Sequence, residues 1–197
     1  MKPNLIKIFK FIEDKIGKKL NSEQSFSLKL IYDPSSLTKE DLDIKGDLDL
    51  GSSKIQSLPN GLKVGGTINL NNSKIESLPN GLTVKGNLDL YNTLIKSLPN
   101  DLTVGGDLYL DGTPIQSLPN GLKVGGTINL NNSKIKSLPN DLTVGGSLYL
   151  YHTPIEYLSN DLTVGGSLYL FNTPISKKYT KEEIRKMVPN VKGIIYI

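Results

Sequence analysis

Residues 57–76 read SLPNGLKVGGTINLNNSKIE, and the same twenty-residue pattern recurs without insertions through residue 176. The later copies begin at Ser77, Ser97, Ser117, Ser137 and Tyr157. A repeat of fixed period in this size range is the signature of a solenoid, in which each coil stacks on the one before it. The sequence therefore predicts a mainly β solenoid built from stacked coils.

The apolar residues of each coil alternate with polar ones, as in the pairs Leu62 with Val64 and Ile68 with Leu70. Alternation with a period of two indicates extended chain with one side facing inward. A glycine precedes the second pair in every coil, at Gly66 and its equivalents. We expect a corner there that requires either a positive φ or the absence of a Cβ.

The segment before the coils, residues 1–41, is predicted to form an N-terminal cap. Apolar residues such as Leu5, Ile8 and Ile12 recur at helical spacing within residues 4–20, with lysines mostly between them. Such an amphipathic helix could lie on an anionic membrane, but the first coil of a solenoid needs an apolar cover, and we favour that role. The next apolar residues alternate and predict a strand. They are Phe26, Leu28, Leu30 and Tyr32.

The segment after the coils, residues 177–197, is predicted to form a C-terminal cap. Thr180 and Glu183 have the spacing of a capping box and indicate a short helix. The last residues, VKGIIYI, match VGGSLYL of the preceding coil position for position, which predicts a final core strand. The inward or corner positions of that strand are Val191, Gly193, Ile195 and Ile197. The repeat region of residues 42–176 and this last strand together predict about seven to eight coils.

The consensus LPxxLxVxGxLxLxxTxI resembles that of leucine-rich repeats, whose strand signature is LxxLxLxxNxL. The closest likeness is to largely uncharacterised repeat proteins of bacteria and tailed phages with LPxGLTVGGxLxL copies. The resemblance implies a horseshoe-like stack with helical caps. Two departures keep a parallel β-helix open as the alternative: Gly65 stands where the first strand leucine belongs, and a hydroxyl residue stands where the buried asparagine belongs. The hydroxyl residues are Ser73, Thr93, Thr113, Ser133, Thr153 and Thr173.

The net charge of +4 is concentrated at the two ends of the chain. Residues 57–176 contain seven Lys and eight Asp or Glu, whereas residues 177–197 contain six basic and two acidic side chains. A solenoid that binds nucleic acid would carry positive charge along its body, so we expect no nucleic-acid partner. The absence of cysteine favours a reducing compartment. We expect no signal peptide and no membrane partner, and a location in the cytoplasm or in a virus particle.

The sequence offers little basis for catalysis. It has one histidine, no cysteine and no phosphate-binding, dinucleotide-binding or HExxH motif. His152 occupies an outward, variable position and is interpreted as a surface residue. Asp47 and Asp49 could bind a hard cation, but no other coil repeats their arrangement. We therefore expect a protein that is not an enzyme and that has no metal or cofactor.

The outward residues of the second strand vary from coil to coil and become aromatic toward the C-terminus. The predicted binding residues are Tyr109, Tyr149, Tyr151, Tyr169, Phe171 and Tyr196. Because the coils stack, we expect all but Tyr109 to form one contiguous aromatic surface. Aromatic residues are enriched at binding hot spots, although stacked tyrosines can also simply stabilise a parallel sheet.

The prediction for function is a non-enzymatic protein-interaction solenoid, and the resemblance implies a phage-encoded protein that acts on a host or virion partner. One alternative is a glycan or cell-surface binder that stacks sugar rings on the tyrosines. Another is a structural or decorating component of a particle, held by its ends.

Overall fold

The computed structural model of the protein describes residues 5–197. The chain forms a β-solenoid in which each repeat contributes one strand of two residues to each of two parallel sheets. The first sheet contains β1 Asp43–Ile44, β3 Lys63–Val64, β5 Thr83–Val84, β7 Thr103–Val104, β9 Lys123–Val124, β11 Thr143–Val144 and β13 Thr163–Val164. The second contains β2 Leu48–Asp49, β4 Ile68–Asn69, β6 Leu88–Asp89, β8 Leu108–Tyr109, β10 Ile128–Asn129, β12 Leu148–Tyr149, β14 Leu168–Tyr169 and β15 Ile195–Tyr196.

The predicted β-solenoid is confirmed, and its register follows the repeat. Each strand up to β12 pairs in parallel with the strand twenty residues further along, so that Ile68 lies beside Leu88 and Asn69 beside Asp89. The residues predicted to face inward are buried in all six coils of residues 57–176 and form a single hydrophobic core. Each coil contributes a strand to two different parallel sheets, a feature that the structure shares with the parallel β-helix alternative.

The glycine before the second strand is required because there is no room for a side chain. A Cβ on Gly86 would lie 2.7 Å from the carbonyl carbon of Gly66 in the preceding coil. The Gly86 N–H donates to the Gly66 carbonyl oxygen at 3.0 Å, and the Gly106 N–H donates to Gly86 at 2.9 Å. Positive φ angles occur instead in the turns, for example at Gly61 with φ 78°. Of the two predicted reasons for this glycine, the lack of space is therefore correct.

The hydroxyl residues that replace the expected asparagine ladder are buried, and the threonines bond to their own turn. Thr113 Oγ1 donates to the Leu110 carbonyl oxygen at 2.6 Å, and Thr93, Thr153 and Thr173 make the equivalent bond. Ser133 Oγ is buried and has no hydrogen-bond partner among the described residues. The threonine hydroxyls thus hold the corner within one coil and do not link neighbouring coils.

The N-terminal cap consists of helices, and the predicted strand over Phe26–Tyr32 is wrong. Helix α1 spans Leu5–Ile16 and helix α2 spans Ser22–Tyr32, followed by single 3-10 turns at Pro34–Ser36 and Glu40–Leu42. A capping box between Asn21 and Gln24 starts α2. Phe26 and Leu30 lie four residues apart, so one helical face buries both of them.

The cover over the first coil is provided by α2 rather than by α1. Phe26 is only 1% exposed, whereas no residue of α1 is fully buried and Phe11 remains 63% exposed. The predicted α1 helix is confirmed over residues 5–16, and residue 4 lies outside the described residues. Helix α1 contacts α2 and leaves part of its apolar surface, such as Ile6 at 80% exposure, in solvent.

The C-terminal cap contains the predicted short helix and final strand, and an additional helix precedes them. Two short helices, α3 Pro174–Lys178 and α4 Lys181–Met187, precede the last strand, and the Thr180–Glu183 capping box starts α4. Strand β15 pairs with β14 in the expected register, and the Gly193 N–H donates to the Gly166 carbonyl oxygen at 2.8 Å. Ile197, the last inward position in the prediction, is instead 38% exposed, whereas Ile195 of β15 is completely buried.

Candidate functional site

The outer face of the second sheet carries most of the variation between coils. Three positions of each coil point outward there, and in the coil of β4 they are Thr67, Asn69 and Asn71. The inward neighbours of these positions, Ile68 and Leu70, are completely buried. The outer face is therefore a continuous strip that runs the length of the solenoid, and its chemistry changes from polar at the N-terminal end to aromatic at the C-terminal end.

Five of the six predicted site residues meet on this face and form what we call the aromatic cluster. Its members are Tyr149, Tyr151, Tyr169, Phe171 and Tyr196. Tyr149, Tyr169 and Tyr196 form a ladder of parallel rings, with centroids 4.3 Å apart for the first pair and 4.6 Å for the second. The ladder exists because the in-register sheet places the same position of three successive coils side by side.

Tyr151 meets the ladder edge to face, whereas Phe171 lies beside Tyr196 with its ring inclined by 27°. The Tyr151 ring contacts Tyr169 edge to face at 5.9 Å and Phe171 at 5.3 Å. Phe171 also lies 6.5 Å from Tyr196 and is 41% exposed. The cluster thus has an ordered ladder along one side and an accessible apolar ring at its edge.

Burial raises the pKa of Tyr149, and its contact with the Tyr169 hydroxyl raises that pKa further. Burial likewise raises the pKa of Tyr151. Because a free phenol already titrates near pH 10, both hydroxyls stay protonated at physiological pH. The cluster therefore presents a neutral surface of apolar rings and hydroxyl groups.

Tyr109, the sixth predicted residue, lies apart from the aromatic cluster. Asn129 of the intervening strand separates it from Tyr149, since Asn129 pairs with both of them. The Tyr109 hydroxyl instead donates to Asp107 Oδ2 at 3.0 Å, and no aromatic ring within residues 5–197 is paired with it. The five C-terminal aromatic residues are neighbours, as the stacking of the coils predicts, whereas Tyr109 lies in a different environment.

That environment is a shallow recess of about 310 Å³, which we call the acidic recess. It is lined by Asp89, Tyr91, Tyr109, Asp111 and Asn129, which come from three successive coils. Reasoning from the sequence placed only Tyr109 among the site residues. The sequence does contain a sign of the recess, because the alternation of outward positions puts Asp89 and Asp111 on the same face in adjacent coils.

The remaining candidates from the sequence are structural or surface residues. His152 has a φ of 56° and occupies the left-handed turn position that is asparagine or glycine in most other coils. Asparagine and glycine adopt this conformation most readily, which explains the composition of the position.

No group of three or more potential ligands within residues 5–197 could hold a metal ion. None of the helices in that part of the chain has the length and hydropathy needed to cross a bilayer.

A scan against protein-family models finds no match to the chain, and a search of curated proteins finds no similar sequence. The interpretation of the outer face therefore depends on its own geometry and chemistry.

Proposed function

We propose that the protein is a non-enzymatic protein-interaction solenoid whose contact surface is centred on the aromatic cluster. The observation that supports this most strongly is the placement of five contacting rings at one end of the outer face, where the equivalent positions of the first coils are Asp, Asn and Gly. Partly exposed aromatic clusters of this kind provide the anchors of protein interfaces, because rings bury large areas at low entropic cost.

A glycan-binding role is less well supported by the ring geometry. Sugar rings bind tyrosine by stacking on an open aromatic face. Both faces of Tyr169 are already covered by the Tyr149 and Tyr196 rings, at interplanar angles of 7° and 5°. The central ring of the ladder therefore offers only its hydroxyl and its edge to a ligand, which suits the side chains and backbone of a protein better than the face of a sugar.

The stacked rings also contribute to stability, since an aromatic pair adds about 0.5 to 1.5 kcal/mol beyond its buried area. Phe171 lies outside the parallel ladder and remains 41% exposed. Stabilisation of the sheet does not require an apolar ring in that position. Its exposure favours a role in binding.

The proposed setting is a bacterial cell, with the chain made in the cytoplasm and encoded by a phage or its host. This setting depends on the resemblance of the LPxGLxVxG repeats to those of bacterial and tailed-phage proteins and on the lack of cysteine. Kinship with leucine-rich repeats is proposed on the same motif.

Affinity capture from bacterial lysate tests the proposed function. The bait proteins are the wild-type chain, the triple variant Tyr149→Ala, Tyr169→Ala, Phe171→Ala and the control Tyr157→Ala, whose ring is 63% exposed elsewhere on the solenoid. We expect the wild type and the control to retain the same protein partner and the triple variant to lose it while remaining folded by circular dichroism. A glycan array probed with the same three proteins is expected to stay blank. A partner that the triple variant still captured would point to contacts at the ends, as in the structural alternative.

A further inference from the structure

The two sheets of the solenoid differ in the charges that they expose. Within residues 47–196, the outward positions of the second sheet include no lysine or arginine. They include five aspartates, which are Asp47, Asp49, Asp89, Asp107 and Asp111. The first sheet has lysines in its outward strand positions, at Lys63 and Lys123. A chain of net charge +4 therefore has one long face of the opposite sign.

The acidic recess is the place on this face where carboxylates and aromatic rings come together. Asp89 is fixed by two hydrogen bonds, from the Tyr91 N–H at 2.9 Å and from the Asn71 side-chain amide at 3.3 Å. No salt bridge joins Asp89 or Asp111 to a lysine or arginine side chain within residues 5–197. Tyr91 is 45% exposed at the edge of the recess.

The electrostatics of the recess agree with an uncompensated negative charge. Burial raises the pKa of Asp111, and the neighbouring Asp89 carboxylate raises it further against the opposing effect of the Asp111 backbone N–H. Burial also raises the pKa of Tyr109, together with its hydrogen bond to Asp107 and the nearby negative charges. A cation placed between these groups would relieve their mutual repulsion.

We propose that the acidic recess binds a lysine or arginine side chain of the protein partner, so that the partner docks on the outer face through a basic segment. The carboxylates of Asp89 and Asp111 would accept charge-assisted hydrogen bonds from the ammonium or guanidinium group. The rings of Tyr91 and Tyr109 supply the electron-rich surface that attracts a cation. This inference rests on the proposed function, because it names the chemistry of the partner that the aromatic cluster also contacts.

An NMR titration of the full chain labelled with nitrogen-15 tests the recess without knowledge of the partner. The probe is N-acetyl-arginine N-methylamide, and the matched neutral probe is the corresponding citrulline compound, which differs mainly in charge. The matched variants are Asp111→Asn in the recess and Asp161→Asn, whose side chain lies in an exposed turn outside the recess.

We expect arginine to shift the amide signals of residues 89–91 and 109–111, citrulline to leave them unchanged, and Asp111→Asn to weaken arginine binding by about threefold to tenfold. Asp161→Asn should bind arginine like the wild type. Equal shifts from both probes, shifts spread evenly over the surface, or unchanged binding by Asp111→Asn would overturn the proposal. Failure of the proposed function alone would look different, because arginine would still bind in the recess while no protein was captured through the aromatic cluster.

Discussion

Replacement of Gly86 by alanine tests the close stacking on which the solenoid depends. The added Cβ would lie 2.7 Å from the Gly66 carbonyl carbon, 2.8 Å from its oxygen and 2.8 Å from the Thr67 nitrogen. All three atoms belong to the backbone of the preceding coil, so the two coils must separate to accept the methyl group. Their separation weakens the glycine ladder, in which Gly86 donates to Gly66 at 3.0 Å and accepts from Gly106 at 2.9 Å.

The expected loss is large for a single methyl group. Overpacking of an interior costs about 1 to 3 kcal/mol, and a weakened backbone hydrogen bond costs about 1 kcal/mol. Alanine also restricts the unfolded chain, which stabilises the folded protein by about 0.4 to 1 kcal/mol. We therefore expect Gly86→Ala to lower the free energy of unfolding by about 1 to 3.5 kcal/mol.

Gly51→Ala provides the matched control. The same Cβ at residue 51 would meet only the ends of the Asn69 and Asn71 side chains, at 3.0 Å, which hydrogen-bond to Asp49 and Asp89 but can shift more easily than backbone. Its free energy of unfolding should lie within about 1 kcal/mol of the wild-type value, because the effect of alanine on the unfolded chain offsets the weakening of these side-chain hydrogen bonds. Urea unfolding followed by circular dichroism measures both variants. Equal midpoints for Gly86→Ala and Gly51→Ala would refute the reasoning that the coils are too close for a side chain.

Three further predictions concern the caps and the corners. Phe26→Ala should cost about 3 to 5 kcal/mol in urea unfolding because Phe26 is 1% exposed, whereas Phe11→Ala should change stability by less than about 0.5 kcal/mol; equal losses would place the cover on α1. Thr113→Val should cost about 1 kcal/mol through the lost bond to Leu110, while Ser133→Ala should be neutral or stabilising in the same assay; a greater loss for Ser133→Ala would contradict the hydrogen-bond assignment. Deletion of residues 193–197 uncovers β14, so we expect a lower melting temperature and aggregation in light scattering, and an equally heat-stable monomer would show that the last strand is dispensable.

The solenoid could be predicted from the sequence because every coil repeats the same two constraints. Inward residues such as Ile68 recur with a period of two, and the glycine at the corner recurs with a period of twenty. Near-identical copies that pack on one another must adopt near-identical structures. A position that is ambiguous in one coil can therefore be assigned from its equivalents in the other coils. The C-terminal match of Val191 to Val164 was readable for the same reason, and the structure has the corresponding bridge.

The N-terminal cap could not be read in the same way, because it occurs once. Phe26 and Leu30 fit both a period of two and a helical turn, so alternation alone does not separate strand from helix. The capping box of Asn21 and Gln24 gives the deciding signal, since it marks a helix start directly before these residues. The 3.6-residue period then explains why Tyr32 points away from the core and is 48% exposed.

The part of the candidate site built from one repeated position of successive coils was predictable, whereas the part that combines different positions was not. The ring ladder follows from in-register pairing, because Tyr149 and Tyr169 occupy equivalent positions of adjacent coils. The acidic recess joins different outward positions, with Asp89 from one coil and Asp111 from the next. Such a diagonal contact depends on side-chain directions and lengths, which the repeat pattern does not specify.

Site-specific photo-crosslinking in living bacteria tests the central claim, that the aromatic cluster is a protein-binding surface. A photoreactive phenylalanine analogue replaces Phe171 in one variant and Tyr157 in the other, since both rings are exposed but only Phe171 belongs to the cluster. We predict a discrete covalent protein adduct from position 171 after irradiation and none from position 157. The absence of an adduct at position 171, or the same adducts from both positions, would contradict the claim.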